Sequence, residues 1–183
     1  MDRKGIAVFS AGLSRLPMDF MQILEGYFRG EKLEAAFFIM PVGLALLGFG
    51  IVALKAESGG FAWGVAAPCF LFGVILLITG ATVAFRTNAQ VEDLKQKYEQ
   101  SPAAMASAEL PRMEKVNRNF RMTFYVFGGV ALLGLILHYL GMDWARGLGA
   151  VLILAAALGL LTDGFAERRA EPYTRALESI VKS

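Results

Sequence analysis

Four blocks of this sequence carry no charge over lengths that a water-soluble domain has little use for. Ala35 to Leu54 runs twenty residues without Asp, Glu, Lys or Arg, and Phe61 to Phe85 runs twenty-five. Met122 to about Met142 and Gly147 to Thr162 complete the set, the last being the shortest. A helix rising about 1.5 Å per residue needs about 20 apolar residues to cross a hydrocarbon layer about 30 Å thick. One buried soluble helix can imitate one such block. Four of them, in a chain of 183 residues that is 56% hydrophobic and only 19% charged, leave too little polar surface to cover the result. The reading is an all-α polytopic membrane protein, with four transmembrane helices as two tandem helical hairpins and amphipathic cytoplasmic helices flanking them.

Other classes fall away on composition. The net charge of +2 and the lack of interleaved aromatic and basic residues argue against nucleic acid as a partner. One cysteine excludes a disulfide framework and a cysteine-rich zinc site. The N-terminal Gly5 to Leu13 stretch is brief, Ser14 and Arg15 interrupt it and no small-residue cleavage site follows, so it reads as mature chain and not as a leader. All 18 Lys and Arg lie in the termini or the central segment except Lys55 and Arg146. By the positive-inside rule both termini and the centre are cytoplasmic and the two turns holding Lys55 and Arg146 face outward, with Trp63 and Trp144 as headgroup anchors.

This divides the chain into an N-terminal segment with an interfacial amphipathic helix (1–34), a first hairpin (35–85), a helical linker (86–121), a second hairpin (122–166) and a C-terminal amphipathic helix (167–183). Gly43-Leu-Ala-Leu-Leu-Gly48 returns as Gly129-Val-Ala-Leu-Leu-Gly134, 86 positions later, with Phe38 matched by Phe124. Thr79, Arg86 and Leu94 are matched by Thr162, Arg169 and Leu177 at a spacing of 83. The two hairpins therefore read as a parallel internal repeat.

Before the first span, Leu16, Phe20, Ile23, Leu24 and Tyr27 form an apolar stripe at helical spacing, and Pro17 suits a first turn. Val91, Leu94 and Tyr98 form a weaker stripe; Tyr173, Ala176, Leu177, Ile180 and Val181 form another. Such stripes serve either as a docking surface for a partner or as a face laid on the protein's own lipid or bundle. Ser101-Pro102 is a helix start, hydroxyl cap followed by proline, and Pro111 breaks or restarts that helix.

Chemistry-bearing motifs are sparse. No glycine-rich phosphate loop is present, and Gly73, Gly80, Gly134, Gly141, Ala155 and Gly159 fall at spacings that let helix backbones approach, as do Gly43 and Gly48. No cofactor is implied. His138, four after Gly134, is expected on the same packing face, and Cys69 beside Pro68 as a small buried residue. Asp163 continues the Ala155–Gly159 face to the cytoplasmic mouth of the fourth span, where it either binds a cation or proton or pairs with Arg168, Arg169 or Arg86; Glu34 has the same ambiguity. Pro41 and Pro68 are candidate kinks.

The Gly26-Tyr27-Phe28-Arg29-Gly30-Glu31 approach to the first span, the Ser101-Pro102 to Glu109 linker and Glu167-Arg168 after the last span resemble uncharacterised small four-span bacterial membrane proteins. That resemblance implies a bacterial inner membrane and no particular activity. The expectation is a non-enzymatic protein acting by protein–protein binding, most concretely an immunity protein that neutralises a membrane-targeted, pore-forming toxin. The alternatives are a small channel or transporter working as a homo-oligomer and an accessory subunit of a larger membrane complex.

Overall fold

The structure, a computed structural model, describes residues 16–183, with side chains from Phe20 onward. The Gly5 to Leu13 reading and the side chains of Leu16 and Pro17 lie outside these. α1 (Leu16–Glu34) passes through a π-helical turn (Ala35–Ile39) into α2 (Met40–Ala56). α3 (Gly60–Gln100), α4 (Pro102–Tyr139) and α5 (Asp143–Lys182) follow, and no strand occurs among the described residues. At about 1.5 Å per residue, the 41 residues of α3 extend about 60 Å, twice the hydrocarbon thickness. Each apolar block is thus one part of a longer helix, and the remainder projects on the side that carries most of the charge. The protein is an all-α polytopic membrane protein with a polar head at one end.

Within the spans the helices form an open row. α2 packs on α3, α3 on α5, and α5 on α4, while α2 and α4 make no close approach to one another. Small residues set these contacts, as expected where lipid offers no hydrophobic drive and association relies on close packing. A Cβ on Gly43 would lie 2.9 Å from the Gly73 carbonyl oxygen, and one on Gly134 would lie 2.8 Å from that of Gly149. At the far end, Gly64 of α3 sits against the Trp144 carbonyl of α5, and Gly147 of α5 against the Phe61 carbonyl. Cys69 is buried with Leu46, Val65 and Val151 in a small core shared by α2, α3 and α5.

The head has a core of its own. Phe20, Leu24, Tyr27 and Phe28 of α1 meet Leu94 of α3, Met105, Ala106 and Met113 of α4, and Ala170, Tyr173 and Leu177 of α5. Here water lies outside, so burial is driven by the hydrophobic effect at about 1.5–3 kcal/mol for each large apolar side chain. The three stripes legible in the sequence are consequently faces of one bundle.

Several expectations need correction. The N-terminal amphipathic helix is not a separate element; it runs through the π turn directly into the first span. Pro111 neither breaks nor restarts its helix, because α4 is continuous through it, held by Met105, Ala106 and Met113 in the head core. At Pro41, a candidate kink, the chain stays helical from the π turn into α2. The preceding π turn, with Met40 N–H bonded to the Ala35 carbonyl, widens the helix just before a residue that lacks an N–H and crowds the preceding turn. The matched glycines do not play matched parts: Gly43 and Gly134 are packed, whereas their counterparts Gly129 and Gly48 face open space. Gly141 is also open, and its φ of +82° places it in the turn after α4, a conformation suited to glycine, and not on a packing face. Gly80 packs against Met40, and Gly159 against the ring of Phe127.

Candidate functional site

Polar side chains gather at two levels, one inside the head and one where head and spans meet. In the head, Glu109 and Arg112 stand one turn apart on α4, and Glu109 is only 7% exposed. The Arg112 guanidinium donates to both Glu109 carboxylate oxygens, with Nε 2.9 Å from each, a geometry that the planar fork of arginine favours. Tyr173 of α5, fully buried, donates its hydroxyl to Glu109 Oε1 at 3.2 Å. Tyr27 of α1 stacks on the Tyr173 ring with centroids 4.9 Å apart, and Arg112 lies over the face of Phe28 at 5.9 Å. Beside this cluster, Asn117 donates to the Thr174 hydroxyl at 3.1 Å.

Electrostatics fix the protonation states of the partners around Glu109. Burial, then the charge of Glu109, pushes the Tyr173 phenol above its ordinary range. Tyr27 is raised as well, by burial and by the charge of Glu31. Burial works against the charge on Arg112, but its hydrogen bonds and attraction to Glu109 outweigh this and raise it further. The cluster joins α1, α4 and α5 through the Tyr27–Tyr173 stack and the Glu109 hydrogen bonds.

At the junction, Glu34, the last residue of α1, pairs with Arg169 of α5; the Glu34 side chain is 11% exposed. Gly30 makes room for the stem of that arginine, since a Cβ there would fall 2.5 Å from Arg169 Cδ. Asp163 sits six residues earlier on α5, beside Thr123 of α4 and within reach of the Glu34 charge. Three atoms in this small region are buried without a hydrogen-bond partner: Glu34 Oε1, Asp163 Oδ2 and Arg169 Nε.

The other residues singled out from sequence are dispersed. Arg86 pairs with Glu31 at 3.2 Å on the surface. Arg168 is exposed and lines a groove between α4 and α5 together with Asn117, Glu167 and Glu171. His138 is exposed; its backbone, not its ring, touches Gly149, and the ring lies edge-on to Tyr139. Of the arginines considered as partners for Asp163, Arg169 is committed to Glu34 and Arg86 to Glu31. Among the described residues no three His, Cys, Asp or Glu side chains gather closely enough to hold a metal ion.

Glu109, Arg112 and the partnership of Tyr27 with Tyr173 do not stand out in the sequence. One signal was available: an acid and an arginine at i, i+3 inside the otherwise Ala- and Met-rich run from Pro102 to Met113. Comparison of the chain with protein-family models, with curated proteins and with solved structures finds no match.

Proposed function

We propose that this is a non-enzymatic integral membrane protein that acts by binding another membrane protein, with its head and both termini in the cytoplasm. In its most specific form it is an immunity protein that neutralises a membrane-targeted, pore-forming toxin. The observation that supports binding within the bilayer is the uneven covering of the spans. Only 6% of the apolar stretch of α4 is buried, against 39% for α3. α4 also turns Phe124, Tyr125, Leu132 and Ile136 outward, and a Cβ on Gly128 or Gly129 would meet nothing. A second apolar helix approaching there would gain contacts that disordered lipid chains supply less well. The sidedness rests on the basic residues, nearly all of which flank the head end of the spans.

The test pairs physiology with chemistry. Deletion of the gene in toxin-producing cells should cause self-poisoning that a plasmid copy cures, and substitution of Gly129 by Phe should abolish the cure while the protein remains in the membrane. Unchanged survival of the deletion strain sinks the immunity reading. A stoichiometric partner of another kind, recovered in mild detergent, would make the chain an accessory subunit.

One observation favours a second reading, a small channel or transporter working as an oligomer. Glu34, Asp163 and Arg169 place three unpartnered buried atoms at the mouth of the spans, where ionisable groups commonly mark ion paths. Flux in proteoliposomes that falls with Asp163→Asn would favour it; the absence of flux would remove it.

A further inference from the structure

The groove between α1 and α3, where they leave the spans, takes no part in either polar cluster. It is a concavity of about 430 Å³ whose charged and amide side chains are Glu25, Arg29, Lys32, Asn88 and Lys95. Lys95 is neutralised by Glu25. Lys32 Nζ donates to the uncharged Asn88 Oδ1 at 2.9 Å, Arg29 is exposed, and neither has an ion-pair partner among the described residues. Two uncompensated cations one turn apart on α1 therefore face an amide whose N–H groups remain free to donate.

Depth supplies the second half of the case. Lys32 comes three residues before the charge-free block at Ala35, and Asn88 three residues after the block ending at Phe85. Both thus sit about 4.5 Å along their helices beyond the ends of the charge-free blocks, the level at which a bilayer matched to those blocks places its headgroup phosphates. The corresponding groove between α4 and α5 has no such excess of cations: Arg175 is paired with Glu171 and Glu178 with Lys182, which leaves Arg168 beside Glu167. Basic concavities between helices at this level suit anionic headgroups.

We infer that the α1–α3 groove binds the phosphate of an anionic phospholipid headgroup in the leaflet facing the head, held by Arg29, Lys32 and Asn88. The site is one-sided: the first hairpin carries it and the second does not. It is open to water, so its hold weakens as salt screens the two cations.

The experiment is lipid retention by the full chain in detergent micelles, read by native mass spectrometry with phosphatidylglycerol or phosphatidylcholine added. At about fivefold for each cation, the preference for phosphatidylglycerol is expected to be roughly 25-fold. The double variant Arg29→Gln, Lys32→Gln should bring it close to unity. Asn88→Asp, which preserves shape and puts a carboxylate against Lys32, should lower it with both cations still in place, and Arg168→Gln with Arg175→Gln in the other groove should leave it unchanged. Equal retention of the two lipids by the parent protein, or loss of the preference only in the second-groove variant, would overturn the inference. Displacement of the lipid by millimolar inorganic phosphate would also overturn it, by making the groove a site for a soluble anion.

Discussion

At the centre of the head's polar contacts is Glu109, an acid 7% exposed whose charge is met by Arg112 and whose Oε1 also accepts from Tyr173. Removing one partner of a buried ion pair costs about 3–5 kcal/mol when both are fully desolvated. The Arg112 side chain is 35% exposed, so Glu109→Gln should cost less, about 2 kcal/mol. Chemical unfolding followed by near-ultraviolet circular dichroism of the tyrosines checks this. The same cluster sets a pH dependence. Tyr173 has a raised pKa in the folded protein, so its contribution to stability is fully present below the unfolded tyrosine value of about 10 and is lost as pH rises beyond it. Alkaline titration at the tyrosinate absorbance should show the head loosening with the most alkaline step, and Tyr173→Phe should remove that step. The Phe20, Leu24 and Tyr27 stripe was legible in the sequence because it recurs at helical spacing on one segment. The Glu109 cluster was not, because Tyr27, Glu109 and Tyr173 come from three segments and nothing local joins them.

At the scale of elements, the four charge-free blocks and the Ser101 helix start were readable, and the Ser101 hydroxyl does accept from the Ala104 amide at 3.3 Å. Two readings based on single residue types failed for physical reasons. Proline in a helix costs about 3 kcal/mol, yet flanking side chains buried in a core can carry that cost, as Ala106 and Met113 do around Pro111. Pro111→Ala should therefore stabilise the head, by about 1–3 kcal/mol, whereas a true break at this site would leave stability unchanged. Glycine spacing marks close approach but does not say which helix approaches. Gly43→Ala should destabilise by about 1–3 kcal/mol through the clash with Gly73. Its sequence counterpart Gly129, which faces open space, should tolerate alanine or gain up to about 1 kcal/mol. Detergent-denaturation midpoints of the two variants provide the comparison.

On the scale of the whole molecule, four helices leave the apolar layer without interruption and meet again in one head core, so that spans and head form a single continuous body. Polar contacts are concentrated at the seam, where Glu34 and Arg169 tie α1 to α5. The proposed sidedness is tested by labelling: with Cys69 replaced by Ser, a cysteine at Ser58 should react with an impermeant maleimide on intact cells, and one at Gln100 only after the membrane is opened. The continuity of spans and head is tested most directly by amide hydrogen exchange of the full chain in lipid nanodiscs, read over Leu94, Met105 to Met113 and Ala170 to Leu177. These segments lie outside the hydrocarbon layer, so lipid does not shield them from water. Slow exchange is expected in all three, speeded together by roughly 30-fold in Glu109→Gln, the equivalent of about 2 kcal/mol, while the spans stay protected. Exchange within seconds in the parent protein, as expected of separate amphipathic helices lying on a membrane surface, would contradict that continuity.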